Sequence, residues 1–110
     1  MQPGSVIEDY RTMKTCNVAF VGGACMMTMM AAGDKLTERC EKAGLRVQID
    51  YVDLWTSDYL RPGIDLVIEM FPYFKKLSIP VVSGRPFALR AGENELLAQL
   101  VERIRDIGKS

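Results

Sequence analysis

Histidine is absent from this sequence. Its absence removes the commonest general base, the Ser-His triad and most transition-metal sites together. Any chemistry must therefore draw on a thiol, carboxylates, hydroxyls, lysines or backbone dipoles. A cysteine framework is missing as well. Cys16, Cys25 and Cys40 are odd in number and show no CxxC spacing, which argues against disulfides and against a zinc site. Net charge is lacking too, because 14 basic residues balance 14 acidic ones. No overall field recommends nucleic acid or an anionic membrane as a partner. No apolar stretch reaches the roughly 20 residues that span a bilayer. No cationic segment followed by an apolar run opens the chain as a secretory signal would. The expectation is a cytoplasmic protein with no nucleic-acid partner, no direct membrane insertion, no metal and no cofactor.

What is present is enough for one core. The 110 residues, 48% of them hydrophobic, suit a single domain with no room for a second. Residues 1–14 mix charges with Pro3 and Gly4 and show no apolar period. They read as a loose leader before a domain over 15–110.

From Cys16 the pattern becomes regular. Cys16 to Val21 is nearly all apolar, as a strand covered on both faces requires. Thr28 to Ala43 reads as a helix whose Met29, Ala32, Leu36, Cys40 and Ala43 make one buried stripe. Gly44 ends it. Leu45 to Val52 alternates and reads as a half-covered strand near a sheet edge. Asp53 to Arg61 is short and mixed, with room for one or two helical turns before Pro62-Gly63. Asp65 to Met70 and Ile79 to Ser83 are two further strands, joined by a loop from Phe71 through Lys76. Gly84 to Phe87 turns the chain and a loop continues to Gly92, before a final amphipathic helix over Glu93 to Ile107. This alternation predicts an α/β fold: a small open parallel four-stranded sheet in the order 2-1-3-4, with helices on both faces.

The segment that joins the first strand to the first helix carries the candidate site. The apolar run ends in Gly22-Gly23-Ala24-Cys25 and then turns helical. Such a loop lies at the carboxyl edge of its strand, beside the switch point between strands one and three, where ligands bind in open α/β sheets. Its backbone N–H groups and the helix dipole suit an anion. Gly22, Gly23, Ala24, Met26, Met27 and Thr28 are therefore the candidate phosphate cradle, and Cys25 the candidate nucleophile, since the same field favours a thiolate. The bland alternatives are a plain strand-to-helix turn and a cysteine that merely packs the loop. The run Cys25-Met26-Met27-Thr28-Met29-Met30 also invites a soft-metal reading. Adjacent methionines on a helix point in different directions, so core filling and a pliable contact surface are favoured instead. Lys75, Lys76, Arg85 and Arg90 are candidates to ring the same sheet edge and steer an anionic partner. Asp53, Asp58 and Asp65 show no spacing that converges on a metal and read as surface or cap residues.

Two segments carry a family likeness. Gly22-Gly23-Ala24, then Thr28, Met30 and Ala31-Ala32, resembles the first loop and helix of galactitol-type IIB components of the sugar phosphotransferase system. Ile79-Pro80-Val81-Val82-Ser83-Gly84-Arg85-Pro86-Phe87, then Gly92, is similar to that family's turn before its last helix. The likeness spans about residues 14–108. It implies a Rossmann-like fold and a phosphoryl carrier. Such a carrier accepts phosphoryl from a phosphohistidine on a IIA protein, holds it on a cysteine, and passes it to a sugar or polyol bound in a IIC membrane transporter. A thiolate at a helix N-terminus is a competent nucleophile, and backbone N–H groups suit the phosphocysteine's charge.

The sequence departs from that pattern where it matters most. The family's cysteine directly precedes Gly-Gly-Ala, and Val21 stands there in this chain. Cys25 comes four residues later, and Met26, Met27 and Met29 replace most loop hydroxyls, leaving Thr28. Either Cys25 carries the phosphoryl from another point of the loop, or the domain is a non-catalytic relative that serves as a binding or regulatory module. A thiol-based redox or metal-handling domain is a third alternative.

Overall fold

A computed structural model of the chain describes residues 15–23, 26–55, 59–71 and 78–108. Its elements run β1 (Cys16–Gly22), α1 (Met26–Lys42), β2 (Val47–Asp53), β3 (Leu66–Glu69), β4 (Val81–Ser83), α2 (Arg85–Leu89) and α3 (Glu93–Gly108). The four strands form one parallel sheet in the order β2-β1-β3-β4, as the alternation of elements predicts. The leader, 1–14, falls outside the described residues.

β1 sits in the interior of the sheet and is hydrogen-bonded on both sides, with Phe20 level with Tyr51 of β2 and Ile68 of β3. Its side chains alternate between two cores. Cys16, Val18 and Phe20 join the larger one, with Leu66 and Ile68 of β3 and the buried faces of all three helices. Phe20 is the hinge of this core, its ring 5.9 Å from Tyr51 and 6.1 Å from Phe87 of α2. Ala19 and Val21 point to the opposite face. There Val67 and Ile64, with Leu54, Leu60 and Ile79 around them, close a smaller core. Among the described residues the helices gather on the first face. The two connections that contribute to the second face, 54–65 and 70–80, include residues outside the described set (56–58 and 72–77).

The helix stripes fall where the spacing puts them. Met29, Ala32, Leu36 and Cys40 of α1 are buried, as are Leu96, Leu97, Leu100 and Ile104 of α3. α1 closes on a Schellman arrangement. Gly44, at φ 74, lets its own N–H reach the Glu41 carbonyl at 3.0 Å and the Leu45 N–H reach the Cys40 carbonyl at 2.8 Å. No helix among the described residues is long and apolar enough to cross a membrane.

Three local features differ from the sequence reading. α1 starts at Met26, two residues before the expected Thr28. The expected loop after Gly84 contains α2. Pro86 stands in its first turn, where proline forfeits no hydrogen bond and its fixed φ suits the helix. The third is a polar lattice at the start of β1. Asp65 accepts from the Asn17 backbone N–H at 2.9 Å, and the Asn17 side-chain oxygen accepts from Arg61 at 3.0 Å. Arg61 also meets Asp50 at 2.5 Å. These groups lie far apart in sequence, so no local pattern announces them. Together they moor the β2–β3 connection to the sheet.

Gly33 lies where α1 crosses β2, and a Cβ there would overlap the Tyr51 hydroxyl. Gly33→Ala is therefore expected to destabilise the fold by about 1–3 kcal/mol. That outcome opposes the gain of about 1 kcal/mol that alanine brings to an exposed helix. Chemical denaturation checks the sign, and adding Tyr51→Phe should recover part of the loss.

Candidate functional site

The carboxyl edge of the sheet gathers the ends of all four strands. Gly22 is level with Asp53 of β2, and Val21 with Glu69 of β3. The last carbonyls of β1 tie the edge together. Gly22 accepts from the Leu54 N–H at 2.7 Å, and Val21 accepts from Met70 at 2.8 Å and Phe71 at 3.3 Å. β1 lies between β2 and β3, so the connections that follow it run first to one side of it and then to the other, which makes this end of β1 the topological switch point.

Neither Gly22 nor Gly23 has a positive φ, whereas Gly44, Gly63 and Gly92 do. Gly23 is required for a different reason. The Trp55 indole lies over it, and a Cβ at 23 would stand 2.7 Å from the indole nitrogen. The Asp53 carboxylate accepts from the Trp55 N–H at 3.0 Å and so sets the turn that delivers the ring. Gly23, Leu54, Trp55 and Phe71 line an apolar hollow of about 240 Å³. Trp55 is 77% exposed and Phe71 51% exposed. The sequence reading did not single out Trp55 or Phe71. Their signal was the position of each just past a strand's carboxyl end.

The sequence-predicted site residues separate. Gly22 is buried, and Gly23 is half-buried with no described residue accepting a hydrogen bond from its amide. Met26 packs partly against the larger core, Thr28 is exposed, and Met27 is 86% exposed on the outside of the first turn of α1. Met29 is sealed in the core and Met30 faces outward. The methionines thus divide between core filling and an open surface. Ala24 and Cys25 lie outside the described residues, as do Asp58, Lys75 and Lys76. Arg85 opens α2 beyond β4, where the Ser83 hydroxyl accepts from its N–H at 3.2 Å. Arg90 stands at the other end of α2, as its C-cap. Val21, at the family's cysteine position, is fully buried in the smaller core. Among the described residues no three His, Cys, Asp or Glu side chains converge as a metal site.

The two other thiols are unsuited to nucleophilic work. Burial, followed by the Asp65 and Cys40 charges, pushes the Cys16 thiol up to about 12. Burial and Glu41 push Cys40 up to about 11. Both are far from thiolate at neutral pH.

Two outcomes follow from those thiols. A water-soluble thiol reagent at pH 8 should leave Cys16 and Cys40 unlabelled in native protein, both reacting only after unfolding; peptide mapping reads this. The folded values also lie above the ordinary thiol value of 9.0. Below pH 9 the neutral thiols are equally favoured in both states. Above it the unfolded chain ionises first, so stability falls as pH rises from about 9 toward 11–12. Cys16→Ala should flatten that slope in denaturation curves measured across the window. Comparison with models of known families, with curated proteins and with solved structures finds no match to this chain.

Proposed function

We propose that this chain is a IIB-like phosphoryl carrier of a sugar or polyol phosphotransferase system, galactitol type, with Cys25 as the carrying residue. The observation that supports it most directly is the burial of the other two thiols. Cys16 and Cys40 are sealed in the larger core, so neither is placed to carry a phosphoryl group. In sequence Cys25 directly precedes Met26, the first residue of a 17-residue helix that starts at the sheet's switch point. A helix of that length presents its unpaired N–H groups and dipole to an anion at its start.

The chemistry is a pair of displacements. The Cys25 thiolate attacks the phosphorus of a IIA phosphohistidine; the S–P bond forms, the N–P bond breaks and neutral imidazole leaves after taking up a proton. A hydroxyl of the sugar or polyol in the IIC transporter then attacks the same phosphorus. Its proton passes to solvent and the thiolate is regenerated. Two proteins must bring reacting atoms together, so positioning dominates. The exposed Trp55 and Phe71 beside Gly23 give that edge an apolar rim suited to a protein partner. The work would be done in the cytoplasm at the face of the membrane transporter.

A second reading rests on Val21. A fully buried aliphatic side chain stands at the family's cysteine position, and the carboxylates of Asp53 and Glu69 sit on the strands beside it. That combination favours a binding or regulatory module that keeps the fold and the docking rim without transferring phosphate.

Incubation with phosphorylated IIA proteins followed by intact mass measurement separates the two. The carrier reading expects one phosphoryl adduct, lost in Cys25→Ser and kept in Cys40→Ala. A protein that captures IIA or IIC partners yet never gains an adduct is the module.

A further inference from the structure

A groove between α1 and α2 begins at Met27 and Thr28 in the first turn of α1 and runs to Arg90. It encloses about 480 Å³, within the range of pockets that hold small organic molecules. The buried Phe87 ring and Ala31 give it an apolar lining, and the exposed Thr28 adds a hydroxyl. Lys35 and Arg90 bring positive charge to it, and Glu93 brings negative charge. Lys35 is already held by Glu93 at 3.0 Å. Arg90 makes no ion pair among the described residues, so one positive charge is uncompensated.

Arg90 is also the one non-glycine residue with a positive φ among the described residues, at φ 55 and ψ 37. Its backbone task is to close α2 by donating its N–H to the Pro86 carbonyl. Glycine would do that without the Cβ penalty of the left-handed region. The backbone therefore gives no reason for arginine, and the side chain must. A disfavoured backbone kept at the lip of a pocket, under a guanidinium with no carboxylate partner, is the pattern of a ligand clamp.

We propose that this groove binds a small organic oxyanion with an apolar body. The body lies on Phe87 and Ala31, and the Arg90 guanidinium with the Thr28 hydroxyl holds the charged group. Phosphate and carboxylate share this chemistry, and the assay's arms tell them apart. Thr28 is shared with the candidate phosphate cradle, whereas Arg90 belongs to this groove alone, so the Arg90→Gly variant separates this site from the carrier reading.

The test is an amide and arginine side-chain NMR titration of the whole chain with phenyl phosphate, benzoate and, separately, inorganic phosphate. The expected result is a saturable shift at Thr28, Ala31, Phe87 and the Arg90 side chain, with affinity in about the millimolar range. Either aromatic anion, or both, supports the site and names the favoured oxyanion. Arg90→Gly should weaken binding by about tenfold or more while melting at the same or a higher temperature, because the strained position is relieved. No saturable shift with either aromatic anion overturns the proposal. So does unchanged affinity in Arg90→Gly, or loss of binding together with a lower melting temperature. Inorganic phosphate reproducing the full shift at equal affinity means an adventitious ion only and also overturns it.

Discussion

The structure depends on β1 being buried on both faces at once. A strand hydrogen-bonded to neighbours on either side, with Phe20 pressed into one core and Val21 into another, has room for a polar side chain only at its start, where Asn17 meets Arg61. That constraint explains its composition. It also fixes where the chain must turn, since a strand at the centre of an open sheet delivers its last residues to the switch point. The candidate loop is where it is because β1 is where it is.

The same constraint bears on function. Side chains that still lie within β1 are committed to a core, and Val21 is one of them. Met26, the first described residue beyond Gly23, already belongs to α1. A nucleophile at 21 and a nucleophile at 25 would therefore work under different conditions, the first level with Glu69 of the neighbouring strand and the second at the start of α1. The charge environment differs in the same sense: carboxylates flank the strand end, while a helix dipole backs the helix start. Beside Gly23, exposed Trp55 and Phe71 make an apolar rim on a sheet edge that a monomeric domain has little structural reason to leave open. The groove at Arg90 is a separate matter. It is built from helix surfaces and not from strand ends, and its distinguishing feature is a backbone conformation rather than a motif.

Much of the fold was legible because it rests on local periodicity. The stripe Met29, Ala32, Leu36 and Cys40, the nearly all-apolar β1, the alternation of Val47, Ile49 and Tyr51, and the stop at Gly44 each follow from side-chain spacing or from one residue's allowed backbone angles. The sheet order followed from the alternation of strands and crossovers. The site was legible only as a place. Gly22-Gly23 marked the loop, but the reason for Gly23 is an indole that arrives from residue 55, and nothing near residue 23 in the chain foretells it. α2 was missed because five residues opening on Arg85-Pro86 read as a turn until the helix that contains them is seen.

The order and parallel sense of the strands, the helix faces and the location of the candidate loop were determined by the sequence itself, since each is set by periodicity or by connection handedness over neighbouring residues. Tertiary structure alone decided that Val21 is walled in, that Cys16 and Cys40 are held protonated, that Trp55 covers Gly23 and that Arg61 ties Asp50 to Asn17. Those are matters of which distant side chains meet and how much water remains between them. Burial and long-range contact carry no signature in a local stretch of chain, and they are what set the chemistry a residue can perform.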